Sequence, residues 1–187
     1  FLSVMFLACC FNGSLCAQSD AQIYERTCDA KTYPFSDPSP VATPNNSYYP
    51  YFRFDGFSMQ AQEKQWKMVV LENDYVKLTV TPEIGGKIWG AIDKVNNKEF
   101  VYTNGVVKFR DVAMRGPWTS GGIEFNFGII GHAPTCSTPI DYLTKKNVDG
   151  SVSCHIFSYE WITRTVWNVE INLPKDKAYF TTHTTWF

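Results

Sequence analysis

The chain has 187 residues with 17 basic and 18 acidic side chains, and a net charge of −1 excludes a nucleic-acid footprint and a polybasic membrane surface. The roughly 170 residues left once a leader is removed (187 minus 17) are enough for one domain with a sizeable core, and fourteen Phe, ten Tyr and six Trp favour sheets over helices.

Phe1 to Phe11 is an apolar run too short to span a bilayer, and Asn12-Gly13-Ser14-Leu15-Cys16-Ala17 follows it as a small-residue cleavage site. Residues 1–17 are therefore read as a signal peptide cut after Ala17, and the protein as exported to the periplasm, cell surface or medium. Processing at Cys9 or Cys10 as a lipoprotein is the alternative and leads to the same compartment. With neither Met nor a basic segment ahead of Phe1, the true start is expected to lie upstream. Only Cys28, Cys136 and Cys154 outlast the leader, so at most one disulfide is expected, and their spacing matches no zinc pattern. No metal, cofactor or membrane span is expected.

Residues 18–51 carry Pro34, Pro38, Pro40 and Pro44 among Ser and Asn, which predicts an irregular extended arm whose tyrosines lie across the domain. Residues 52–187 read as β. Strands are predicted over 66–71, 75–80, 87–93 and 99–102, separated by Glu72-Asn73-Asp74, Pro82-Glu83-Ile84-Gly85-Gly86 and Asn96-Asn97, and together they form a β-meander. Later strands are predicted over 139–142, 151–166 with a break near Trp161, 167–173 and 178–187. Asn147-Val148-Asp149-Gly150 supplies a hairpin and Pro174-Lys175-Asp176 a turn. No segment has helical periodicity. The last strand has no closing turn, so the chain is read as the N-terminal part of a larger domain.

Between the two groups of strands lies the stretch 115–132, with five glycines and a proline beside Arg115, Trp118, Glu124, Asn126 and His132. Such a backbone takes unusual turns while an acid, an amide, an imidazole and an aromatic face converge, which is the make-up of a polar-ligand site. The competing reading is a half-buried strand in which Phe125 and Phe127 pack inward while Glu124 and Asn126 face water. Abundant aromatic faces suit carbohydrate, whose apolar ring faces stack on Trp and Tyr.

Leu71-Glu72-Asn73-Asp74-Tyr75, Thr81-Pro82-Glu83-Ile84-Gly85-Gly86-Lys87-Ile88-Trp89 and Ser120-Gly121-Gly122-Ile123-Glu124-Phe125-Asn126-Phe127 together carry a resemblance. They resemble the opening half of an uncharacterised family of exported proteins with a galactose-mutarotase-like antiparallel β-supersandwich, often followed by tetratricopeptide repeats. In those relatives Asn-Phe runs into a histidine cluster, whereas here Gly128-Ile129-Ile130-Gly131 intervenes and His132 alone is retained. The resemblance implies carbohydrate handling on a concave sheet face, with glycoside hydrolase or aldose-epimerase-like chemistry. His132 would be the general acid, with an epimerase base beyond Phe187. For a glycosidase, Glu124 is the first carboxylate candidate and Asp141 a weaker second. Trp118 would stack on a sugar, Asn126 would read a hydroxyl and Arg115 would clamp an acidic sugar. A non-catalytic glycan-binding module and a scaffold preceding a repeat array are the alternatives.

Overall fold

The structure, a computed structural model, describes residues 19–34, 57–111, 117–128, 132–160 and 163–187. Among the described residues, twelve strands build an all-β, sandwich-like fold from two main sheets and a small two-stranded one. No α-helix occurs among them, and no helix there is long and apolar enough to cross a membrane.

The predicted meander is present as β2 (Gln62–Glu72), β3 (Val76–Thr81), β4 (Lys87–Asp93) and β5 (Lys98–Val101), each antiparallel to the next. A strand then joins it from the segment expected to be irregular. β1 (Gln22–Tyr33) pairs with the whole of β2, from Gln22 opposite Glu72 to Thr32 opposite Gln62. The proline run starts only at Pro34, so nothing within 22–33 removes a ladder donor. β6 (Val107–Lys108) runs parallel to the end of β1 and completes the order β5-β4-β3-β2-β1-β6.

The short pair β7 (Arg110–Asp111) and β8 (Pro117–Trp118) leads into the second half of the chain. There β9 (Asp141–Lys146), β10 (Val152–Glu160), β11 (Thr165–Leu173) and β12 (Thr181–Trp186) form an antiparallel sheet in the order β12-β11-β10-β9. β9 begins later than the predicted 139–142, because Ile140 donates its N–H to the Pro82 carbonyl at 3.0 Å and not to β10. Trp161, where a break is predicted, lies outside the described residues, and β10 and β11 pair antiparallel on either side of it, with Glu160 opposite Thr165. Arg164, expected on a strand, takes up a turn with φ of 57°.

The core lies between the two sheets. β11 shows why: Trp167, Val169, Ile171 and Leu173 are buried at every second position, while Asn168, Glu170 and Asn172 point the other way. They meet Val69, Leu71, Leu78 and Val80 from the first sheet. A bulge at Trp89 and Gly90 lets Ile88 and Ala91 both face this core. Trp89 turns to the opposite face and joins Trp66, Met68, Ile84, Val107 and Phe109 in a second cluster. Cys28, Cys136 and Cys154 form no disulfide among the described residues.

Glu72 marks the end of β2 with an ion pair to Lys94 at 2.8 Å and a hydrogen bond from the Tyr24 hydroxyl at 3.0 Å. Partial burial raises its pKa, but these donors and Lys77 outweigh burial and bring it below the ordinary 4.5. A depressed carboxyl stabilises the fold fully above its unfolded value and loses that contribution as pH falls through the folded value. Glu72→Gln should therefore flatten the decline of Tm below about pH 4.5, which a thermal melt series across pH 2 to 6 would read.

Candidate functional site

The glycine-rich stretch docks where β5 leaves the edge of β4 free. Ile88 and Ile123 exchange both backbone hydrogen bonds, at 3.1 and 2.8 Å, and the Gly122 N–H reaches the Tyr102 carbonyl at 2.9 Å. Gly122 has a φ of +68°, and a Cβ there would strike the Ile88 carbonyl oxygen, so only glycine fits this approach. Past that bridge the chain alternates. Ile123, Phe125 and Phe127 pack against the core, and the Phe127 ring stacks on Trp167 with centroids 4.5 Å apart.

Alternation sends Glu124 and Asn126 to the other face, but Glu124 does not simply meet water, because its side chain is only 11% exposed. Its Oε1 accepts from Asn126 Nδ2 at 2.7 Å and lies 2.7 Å from His132 Nδ1. Oε2 is buried, and the Cys136 thiol lies against the carboxylate. Asn126 Oδ1 accepts the Ala133 N–H at 3.0 Å, and so the amide braces the two arms of the loop against each other. His132 sits at φ 56°, a left-handed conformation that costs a non-glycine residue energy and is held by this bracing. The Trp118 ring meets the imidazole edge-on, with centroids 6.1 Å apart.

Two groups that the sequence reading did not assign to the site, Lys87 and Cys136, complete the cluster. Lys87 is 1% exposed, and its ammonium donates to the carbonyl and hydroxyl oxygens of Thr119. Burial lowers its pKa, while the charges of Glu124 and Cys136 act in the opposite direction. The Cys136 thiol is pushed up to about 12 by burial first and then by the neighbouring Glu124, so it remains a protonated thiol at neutral pH. In the sequence, Lys87 was visible only as a charged residue opening an apolar strand, a place where a lysine ordinarily faces solvent.

Arg115 lies outside the described residues. Asp141 stands exposed at the start of β9, opposite Phe157, and shares no hydrogen bond with Glu124 or His132 among the described residues. The structure thus brings Trp118, Glu124, Asn126 and His132 together. Nδ1 faces the carboxylate at 2.7 Å, so the structure sets an imidazole and a carboxylate in direct contact, an arrangement chemically able to move a proton.

A trough of about 390 Å³ runs along the same face of the first sheet, lined by Met68, Thr79, Trp89 and Gly90, with Arg26, Lys77 and Glu99 among its walls. Trp89 also faces the Lys87 ammonium, which lies 5.8 Å from its ring centroid. Thr103, Asn104 and Gly105 close one end, and Asn104 donates to the Ser120 hydroxyl, so the glycine-rich stretch also shapes the trough.

An all-β sandwich with a carboxylate, an amide and an imidazole in contact on a glycine-rich loop at a sheet edge is the class of protein that these features define. The chain belongs to the family described as domain of unknown function DUF5107, which it matches over residues 43–187. It is also similar to the crystal structure at 2.26 Å resolution of a TPR-domain containing protein from Parabacteroides distasonis ATCC 8503, with a TM-score of 0.81 and 26% identity. That similarity covers 90% of this chain and 29% of the other, so the chain spans under a third of that protein's length.

Proposed function

We propose that this chain is part of an exported carbohydrate-active protein whose domain is a galactose-mutarotase-like supersandwich, with glycoside hydrolase or aldose-epimerase-like chemistry centred on Glu124 and His132. The observation that carries this reading is the 2.7 Å contact between a largely buried carboxylate and an imidazole, on the sheet face that also holds the trough. Breaking or opening an acetal needs a proton delivered to an oxygen as its bond to the anomeric carbon lengthens. His132 Nε2 supplies that proton, and Glu124 holds the ring through Nδ1 and stabilises the imidazolium form. Trp118 offers the stacking face and Asn126 keeps the pair aligned. The chemistry also needs a second acid or base besides this pair, and Arg115, outside the described residues, and Asp141, exposed at the start of β9, keep the substrate-binding roles expected of them.

A second reading, a glycan-binding module without catalysis, is favoured by the trough, whose Trp89 floor and polar walls suit a sugar ring. The third is a scaffold that precedes tetratricopeptide repeats, a reading supported by the similarity to a TPR-domain containing protein.

The test is to incubate the full-length protein and its Glu124→Gln variant with plant and host glycans, following both released sugar and binding. Release that disappears in the variant while binding persists supports the catalytic reading. Binding without release in either protein supports the module, and silence in both assays supports the scaffold.

A further inference from the structure

Glu124 is a largely buried carboxylate with one oxygen tied to Asn126 and His132, and its other neighbour is the neutral Cys136 thiol. A buried anion in that state destabilises a fold unless a positive charge stands close by. His132 carries charge only when protonated and cannot supply one throughout a proton-transfer cycle. The antiparallel bridge between Ile88 and Ile123 sets the residue before Ile88 opposite the residue after Ile123, which is Lys87 opposite Glu124. Both side chains lie on the face away from the main core. Of the three ammonium protons of Lys87, Thr119 takes two through its carbonyl and hydroxyl oxygens. Among the described residues, Asn126, the Cys136 thiol and the His132 ring also adjoin the pair, and none of them offers a permanent positive charge.

We infer that Lys87 is a positioning residue of the Glu124–His132 site, a cross-strand cation that compensates the Glu124 carboxylate whether or not His132 holds its proton. Its two bonds to Thr119 fix where that charge stands and anchor Trp118, one residue earlier, at the same time. His132 then gains and loses a proton without leaving Glu124 uncompensated, as a group acting first as acid and then as base requires. Burial lowers the lysine pKa and Glu124 opposes that shift, as expected of two charges that sense each other. This inference deepens the acid–base reading of the same site, but its test reads stability and not turnover.

The test is a double-mutant cycle on the full-length protein, with Tm measured at pH 7 for wild type, Lys87→Met, Glu124→Gln and the double variant, plus Lys87→Arg. If Lys87 compensates Glu124, Lys87→Met lowers Tm, and adding Glu124→Gln to that background recovers roughly 5 °C or more relative to its effect in wild type. Lys87→Arg, which keeps the charge, should lose less than Lys87→Met. A lysine that merely braces Thr119 gives additive shifts, within about 2 °C, and that result overturns the inference. If Lys87→Met fails to fold, a folded double variant supports compensation and an unfolded one overturns it. Strong coupling without glycan release or binding would retire the functional reading and leave the charge pair standing. Glycan release lost in Glu124→Gln with additive stabilities would do the reverse.

Discussion

Asn73→Ala is expected to lower the stability of the fold by about 2–4 kcal/mol, measured as a drop in the urea midpoint with an unchanged slope. Asn73 occupies the turn between β2 and β3 and is 4% exposed. Its Oδ1 accepts the N–H groups of Tyr75 and Val76 at 2.8 and 2.7 Å, which closes the turn. Its Nδ2 donates to the carbonyls of Pro174 and Lys177 at 2.7 and 2.8 Å, in the turn between β11 and β12. One amide thus ties the turn of one sheet to the turn of the other. Alanine leaves two N–H groups and two carbonyls without that partner, the N–H of Val76 in a buried place and the others in half-buried ones. Asn73→Asp makes a sharper test, since it keeps the acceptor for the turn but turns a carboxylate oxygen toward two carbonyl oxygens. The aspartate should therefore rescue little of the loss, and near-wild-type stability in Asn73→Asp would show that the link between sheets contributes nothing.

Trp167→Ala is expected to cost about 3–5 kcal/mol, the range for deleting a fully buried aromatic. Trp167 is 0% exposed and stacks on Phe127, with the rings 17° from parallel. Its indole N–H has no hydrogen-bond partner among the described residues, so Trp167→Phe removes an unsatisfied donor along with some volume and should lose much less. The functional consequence runs through Phe127, which sits three residues after Glu124 and is the inward anchor of the glycine-rich stretch. Trp167→Ala should therefore also loosen the site loop, read as faster amide hydrogen exchange at Phe125 and Phe127 than at the β3 core residues. Equal protection at both places would mean that the bridge to Ile88 holds the loop without the stack.

The β2 to β5 meander was legible because its signals are local. Leu78 and Val80 alternate with Lys77 and Thr79, and the turn residues Asn73, Gly85 and Asn97 punctuate the strands, with positive φ at Gly85 and Asn97. The hairpin at Gly150 was legible for the same reason. β1 was not, since Gln22–Tyr33 mixes charged and small residues and its exposure pattern is mostly polar. Its strand character comes from pairing with β2 along its whole length, as where Cys28 stands opposite Trp66, and that partner lies beyond the proline-rich stretch in sequence. In the site, the glycines at 121 and 122 announced an unusual backbone, and Glu124, Asn126 and His132 stood out by residue type. Lys87 and Cys136 did not, because nothing in the sequence says that either is buried.

What the sequence determined by itself is therefore the β class, most strand positions after residue 60 and the stretch in which polar groups converge. Alternation and turn chemistry act over a few residues, and the chain carries that information wherever it is read. Tertiary structure alone decided which residues meet. The Ile88–Ile123 register set Lys87 opposite Glu124, and the loop closure through Asn126 brought His132 to within 2.7 Å of the carboxylate. Those pairings depend on how two distant segments share an edge and a core, and a shift of one residue in the register would send Glu124 to the other face.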